Sequence, residues 1–208
     1  MRKDESINVP LWTLLTTLGL AAGLMAGLLA GKPLSEIANA MIVTAAVTCC
    51  VGAVLGTLQT FGLKRVLRAP FWWILATMIG LGIGLAFGVV IVEQVGILIT
   101  GTRPNIGRLG SLLRAFNLFV VGGTSGAFLG LAQMLVLRKQ AAGVKHWLPV
   151  TAAALAIAFS ASSLAVDLFQ LRFASLPGVI TFVALAGTLF GAATSWPLRR
   201  ELHKDAAN

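Results

Sequence analysis

The sequence predicts an all-α integral membrane protein: six transmembrane helices as three tandem helical hairpins with pseudo-threefold symmetry about the membrane normal. Three observations lead there. The 208 residues are 57% apolar and only 11% charged, against roughly 25% charged residues in soluble chains. Six stretches reach the about 20 mostly apolar residues needed to cross a hydrocarbon core. One hairpin pattern recurs three times along the chain. The same composition excludes a disordered chain, which would be polar and highly charged. Cys49 and Cys50, adjacent inside an apolar run, exclude a secreted disulfide scaffold.

The six expected spans are 9–31, 37–63, 71–92, 115–137, 147–168 and 176–198. The third stays apolar to Thr100 and so tilts or runs past the interface. The first follows the polar start MRKDES, but its apolar run is too long for a signal-peptide core and no small-x-small cleavage site precedes Lys32, so an uncleaved helix is expected. Little chain lies outside the spans. Residues 1–208 therefore read as a single transmembrane domain, with hairpins over about 9–66, 67–141 and 142–203.

Charge orients the bundle. Arg2, Lys3, Lys64, Arg65, Arg68, Arg138, Lys139, Lys145, Arg199, Arg200 and Lys204 fall on one side, and Lys32, Arg103, Arg108, Arg114 and Arg172 on the other. Positive residues stay inside, so both termini are expected in the cytoplasm, with anionic lipids as partners on that side. The net charge of +9 then calls for no nucleic acid.

The repeat is carried by both helices of each hairpin. The even helices read GAVLGTLQTFGLKR from Gly52, GAFLGLAQMLVLRK from Gly126 and GTLFGAATSWPLRR from Gly187. Each has small residues four apart (Gly52 and Gly56, Gly126 and Gly130, Gly187 and Gly191), then a polar residue (Gln59, Gln133, Thr194), then a leucine and a basic pair. The odd helices open with Trp12, Trp73 and Trp147 near the cytoplasmic interface. Seven, eleven and fifteen residues on come Gly19, Gly23 and Gly27; Gly80, Gly84 and Gly88; and Ala154, Ala158 and Ser162. Trp12 to Gly52 and Trp147 to Gly187 are both forty residues, whereas Trp73 to Gly126 is fifty-three, which places an insertion at about 96–114. Two spans per repeat keep every copy in one orientation, so the copies should surround an axis along the membrane normal.

Residues four apart share a helix face, so the glycine rows are expected to be strips where neighbouring backbones approach closely. On the same face, Gln59 and Gln133, with Thr194 as third member, form an inner polar ring that serves packing or a ligand, because an amide in hydrocarbon must find a partner. Twenty residues beyond each tryptophan stand Lys32, Glu93 and Asp167, about 30 Å along the helix. With Arg114 and Arg172 they make an outer charged ring, read as interfacial snorkelling or a cation entry site. Arg103 and Arg108, in the insertion, oppose the topological charge bias and are read as contacts to lipid phosphates or an acidic partner.

Catalytic chemistry is poorly supplied. GLGIGLAFG from Gly80 sits mid-span, without the strand a dinucleotide loop requires. The only histidines, His146 and His203, lie outside the spans, and no metal, haem or other cofactor is expected. GTSGAFLG from Gly123 resembles the G-x-S-G signature of rhomboid intramembrane proteases, which implies a nucleophilic serine activated by a histidine on the sixth helix. That helix has none, and Ala184 stands near where the base would be.

The repeated G-x-x-x-G-x-x-Q-x-x-x-L-[KR]-[KR], followed by a tryptophan that opens the next helix, resembles uncharacterised bacterial multi-pass membrane proteins with G-x-x-Q-W-x-x-L-R-R repeats. Gln59, Lys64, Trp72, Trp73, Gln133 and Arg138 carry the likeness, and Thr194 departs from it. The resemblance implies topology and no activity. Mitochondrial carriers also use three tandem hairpins, but their P-x-[DE]-x-x-[KR] motif is absent. The expectation is a non-enzymatic accessory or scaffold subunit, with protein partners in a bacterial cytoplasmic (inner) membrane. A small-solute carrier or substrate-capture protein is the alternative, and a membrane enzyme comes third.

Overall fold

The computed structural model describes residues 8–34, 40–63, 67, 69–100, 110–138, 146–172 and 175–205, without the side chains of 32–34, 40, 41, 100 and 198–205. It is all-helical: α1 (Val9–Leu34), α2 (Ala40–Leu63), α3 (Pro70–Thr100), α4 (Ser111–Leu137), α5 (Trp147–Leu168) and α6 (Leu176–Asp205). All six are long and apolar enough to cross a membrane. Local chemistry sets several ends. Asn8 caps α1, its Oδ1 accepting from the Leu11 amide at 3.1 Å, and Ser175 Oγ accepts from the Gly178 amide at 3.3 Å to open α6. Pro10, Pro70, Pro149 and Pro177 each fall in a first turn, where a missing N–H costs nothing.

After α5 the chain turns through Gln170, which adopts a left-handed φ of 54°. The Leu171 amide reaches back to Val166 O and the Gln170 amide to Asp167 O, both at 2.9 Å, which closes the carbonyl end of the helix. The insertion in the middle hairpin is partly helix: α3 runs 31 residues, well past the expected end at residue 92. The insertion's far end is helical too, since α4 begins at Ser111, and residues 101–109, with Arg103 and Arg108, lie outside the described residues.

The helices form a closed ring. Each packs on its chain neighbours, and α6 completes the circuit against α1. Glycines on the odd helices face the partner within the hairpin: Gly19, Gly23 and Gly27 lie on Leu55, Val51 and Val47 of α2, and Gly80, Gly84 and Gly88 on Leu129, Ser125 and Val121 of α4. Glycines on the even helices face the next hairpin: Gly52 and Gly56 on Met78 and Ile74, Gly126 and Gly130 on Ala152 and Leu148, Gly187 and Gly191 on Thr17 and Thr13. The approach is backbone to backbone. A Cβ added to Gly52 would stand 2.6 Å from Met78 Cα, and one added to Gly187 would stand 2.7 Å from Thr17 Cα. With no hydrophobic drive between helices in lipid, this contact is what association depends on.

Two glycines separate this packing from helix propensity. Ala in place of a helical Gly gains about 1 kcal/mol where space allows. At Gly123 a Cβ would meet nothing nearer than 3.6 Å, so Gly123→Ala should hold or raise the melting temperature. At Gly52 the same change forces α2 off α3 and should lower stability by about 1–3 kcal/mol. Thermal unfolding of the two variants in one detergent checks this, and equal shifts would contradict it.

Candidate functional site

At the end of the ring where the odd helices begin, the polar and aromatic residues of the repeat interlock. Trp73 Nε1 donates to Gln59 Oε1 at 3.2 Å, and Gln59 Nε2 donates to Thr16 Oγ1 at 3.4 Å. One hairpin further on, Trp147 Nε1 donates to Gln133 Oε1 at 3.1 Å and Gln133 Nε2 to Thr77 Oγ1 at 2.9 Å. Each amide thus ties its own hairpin's odd helix to the next hairpin. At the closing contact Trp12 Nε1 donates to Thr194 Oγ1 at 3.1 Å, and the Thr194 hydroxyl donates to Phe190 O of its own helix at 2.8 Å. Thr194 is too short to bridge as the glutamines do. Thr151, the third-hairpin counterpart of Thr16 and Thr77, has its hydroxyl on Trp147 O at 2.7 Å.

These groups are fully buried, so the belt is dry: Gln59 and Gln133 are 1% exposed and Thr16, Thr77, Thr151 and Thr194 are 0% exposed. The repeat tryptophans turn inward rather than toward lipid. Trp73 and Trp147 stack at 6.2 Å and a tilted 56°, and with Trp12, Leu63, Leu67 and Leu137 they make an apolar plug. Trp72 and Trp196 are the exposed indoles. The threonines four residues after each repeat tryptophan belong to the site but were not singled out from the sequence; their signal is W-x-x-x-T, present in all three odd helices.

Beyond the belt the ring encloses a chamber of about 360 Å³. All six helices line it, among them Leu20, Val51, Leu85, Leu129, Phe159 and Phe182. Thr48, the sole polar residue in its wall, has its hydroxyl on Thr44 O and Ala45 O at 2.9 and 3.1 Å. The glycines lie at the helix contacts, and the centre is walled by larger apolar side chains.

Toward the other end, α4 and α5 are joined by an ion pair between Arg114 and Asp167, whose side chains are 11% and 21% exposed. Asp167 Oδ2 is buried without a hydrogen-bond partner, as are the hydroxyls of Ser162 and Ser163. Glu93 is half-buried and Arg172 exposed. The Lys32 side chain lies outside the described residues, so of the outer ring the structure joins Arg114 with Asp167. Ser125, the serine of the G-x-S-G sequence, is 0% exposed and donates to Val121 O at 2.6 Å, while Ala184 is exposed on α6. Among the described residues no group of three or more His, Cys, Asp or Glu could hold a metal ion.

The belt makes a mutational distinction. Gln133→Leu strands a buried indole N–H and takes the amide donor from Thr77, whereas Thr194→Val strands the Trp12 N–H alone. A stranded buried donor costs about 1–3 kcal/mol, so Gln133→Leu should depress the unfolding midpoint further than Thr194→Val; the reverse order would show that the belt contributes little. Comparison of the chain with protein-family models, curated proteins and solved structures finds no match.

Proposed function

We propose that this is a non-enzymatic integral protein of a bacterial cytoplasmic membrane that captures a single apolar molecule in the chamber inside its helix ring. The observation that carries the reading is the chamber. Its volume of about 360 Å³ falls in the range of small-molecule sites, roughly 300–1,000 Å³. Left empty, its apolar lining would forgo van der Waals contact on the inner side. Water is a poor occupant, because a water needs two to four polar partners and the wall's polar residue, Thr48, spends its hydroxyl proton on its own helix. A hydrocarbon chain supplies the missing contact and lies at hand in the surrounding bilayer.

The three hairpins are related by rotation about an axis through this chamber, and both termini face the cytoplasm with the tryptophan plug. The bias of basic residues toward that end supports the orientation. The chamber then opens its far end to the outer leaflet. Its open volume is also what favours capture over an accessory or scaffold role: the axis is apolar, as a scaffold would have it, but the glycines lie at the helix contacts and leave the centre unfilled.

Purification in mild detergent followed by native mass spectrometry and solvent extraction tests the reading. The wild-type protein should carry one apolar molecule per chain. Ala186→Phe and Leu85→Phe, which project a ring into the chamber, should release it without lowering the melting temperature of the ligand-free protein. A chain that carries nothing in either form, or a molecule retained by both variants, would refute capture at this place.

A further inference from the structure

The chamber shares a wall with a second space, and together they indicate how the captured molecule gets in, an inference that rests on the capture reading above. On the lipid side of the α2–α3 contact lies an apolar groove of about 540 Å³, with Ala45 and Cys49 of α2 and Gly82 and Ala86 of α3 in its lining. Ile79, Ile83 and Phe87, which also line it, are exposed. On the inner side of the same contact, Thr48 of α2 and Leu81, Leu85 and Val89 of α3 wall the chamber. At 1.5 Å per residue, both spaces fall roughly 9–26 Å along α3 from Trp73, within the hydrocarbon.

The repeat shows why this seam is thin. Each even helix presents two glycines to the next odd helix, and the residue one turn closer to the outer end decides how the seam continues. On α4 it is a third glycine, Gly122, where a Cβ would stand 2.5 Å from Leu155 O, so the α4–α5 backbones stay in contact. On α6 it is Val183, and a Thr17–Thr188 hydroxyl pair at 3.4 Å spans that seam on its exposed side. On α2 it is Thr48, whose hydroxyl turns back to Thr44 O and Ala45 O. The α2–α3 seam there passes from backbone contact to side-chain contact. A Cβ added to Gly82 would stand 2.8 Å from Cys49 Sγ and 3.7 Å from Thr48 Oγ1. One layer of small side chains therefore divides the groove, which Cys49 lines, from the chamber, which Thr48 lines.

We propose that the groove is the entry site of the captured molecule. A hydrocarbon chain from the bilayer lies first against Ala45, Cys49 and Gly82, then passes between α2 and α3 into the chamber as Thr48 and Cys49 give way. This route keeps the chain in hydrocarbon throughout, whereas entry by the end of the ring would carry it through the polar interface.

A disulfide across the seam tests this. The 2.8 Å from Cys49 Sγ to a Cβ on Gly82 is close to the roughly 3 Å that such a bond sets, so Gly82→Cys supplies a partner for Cys49. Gly123→Cys with Ala156→Cys, their Cβ atoms 3.6 Å apart, places the corresponding bond across the α4–α5 seam. Both are made in Cys50→Ala protein, oxidised with copper phenanthroline and held in nanodiscs. Bound dodecane is chased with perdeuterated dodecane, and exchange is followed by native mass spectrometry. The bond at Cys49 should slow exchange about tenfold without changing the amount bound, and dithiothreitol should restore the rate. The α4–α5 bond should leave the rate as it is in Cys50→Ala protein. N-ethylmaleimide on Cys49, which needs no substitution in the seam, should also slow exchange. Exchange indifferent to both blocks at Cys49, equal slowing by the two disulfides, or failure of Cys49 to pair overturns lateral entry and leaves capture intact. Dodecane retained by no form of the protein overturns both.

Discussion

Backbone-to-backbone approach of the helices is the constraint on which the rest of the architecture depends. In a hydrocarbon solvent apolar side chains gain nothing by leaving lipid for one another, so association must come from close van der Waals contact and from polar groups that have no other partner. The glycine rows provide the first, and they do so in a consistent order. Rows on α1 and α3 close their own hairpins, and rows on α2, α4 and α6 close onto the next odd helix. At the α5 positions matching those of α1 and α3 the residues are Ala154, Ala158 and Ser162 instead, all buried. Only when the backbones are this close can an amide on an even helix reach an indole on one side and a threonine on the other. The belt is a consequence of the packing, and it fixes the rotation of each helix once the packing has fixed the spacing.

The third hairpin shows what happens when one part of the pattern is relaxed. Thr194 replaces glutamine and can satisfy Trp12, but its own hydroxyl proton goes back to Phe190 O. The glutamines make a donor and an acceptor available across two interfaces, whereas a threonine in a helix spends its donor on the preceding turn. The junction that closes the ring therefore has an indole hydrogen bond and a Thr17–Thr188 hydroxyl pair at 3.4 Å, where the other two junctions have a bridging amide. The buried, unpartnered Ser162 and Ser163 hydroxyls belong to the same hairpin. Among the described residues polar satisfaction is least complete along α5 and at Arg114 of α4, which faces it.

Much of the architecture was legible in the sequence because hydrocarbon tolerates few alternatives. Val9, Trp147 and Leu176 as helix starts, and Leu63, Leu137 and Leu168 as helix ends, follow from where apolar runs meet proline, basic or polar residues. The glycine spacing pointed to contact strips for the same reason. Two things were not legible. The inward turn of Trp12, Trp73 and Trp147 competes with the usual preference of tryptophan for the membrane interface, and residue type alone cannot say which wins. The threonines at Thr16, Thr77 and Thr151 were hidden because a helical threonine ordinarily bonds its own backbone, and only the position of a neighbouring amide makes its oxygen an acceptor. The length of α3 was visible as an apolar run to Thr100, but not whether it stays helical throughout.

The chamber was also hidden, and its origin is geometric. In a regular ring of six, the distance from centre to each helix equals the distance between neighbours, about 8–10 Å, so the ring surrounds space enough for a seventh helix. Glycine contacts bring the ring to the small end of that range but cannot close it; inward side chains must fill what is left. At the belt end three indoles and three leucines suffice. Farther along, the wall residues are mostly Leu and Val with three Phe, and their volumes do not meet in the middle. A chain selected only to pack would fill that gap, since a single larger apolar residue gains burial at no polar cost. Glycine on the contact faces, bulk confined to one end and medium-sized residues along the remaining wall together leave an apolar space, closed at the plug.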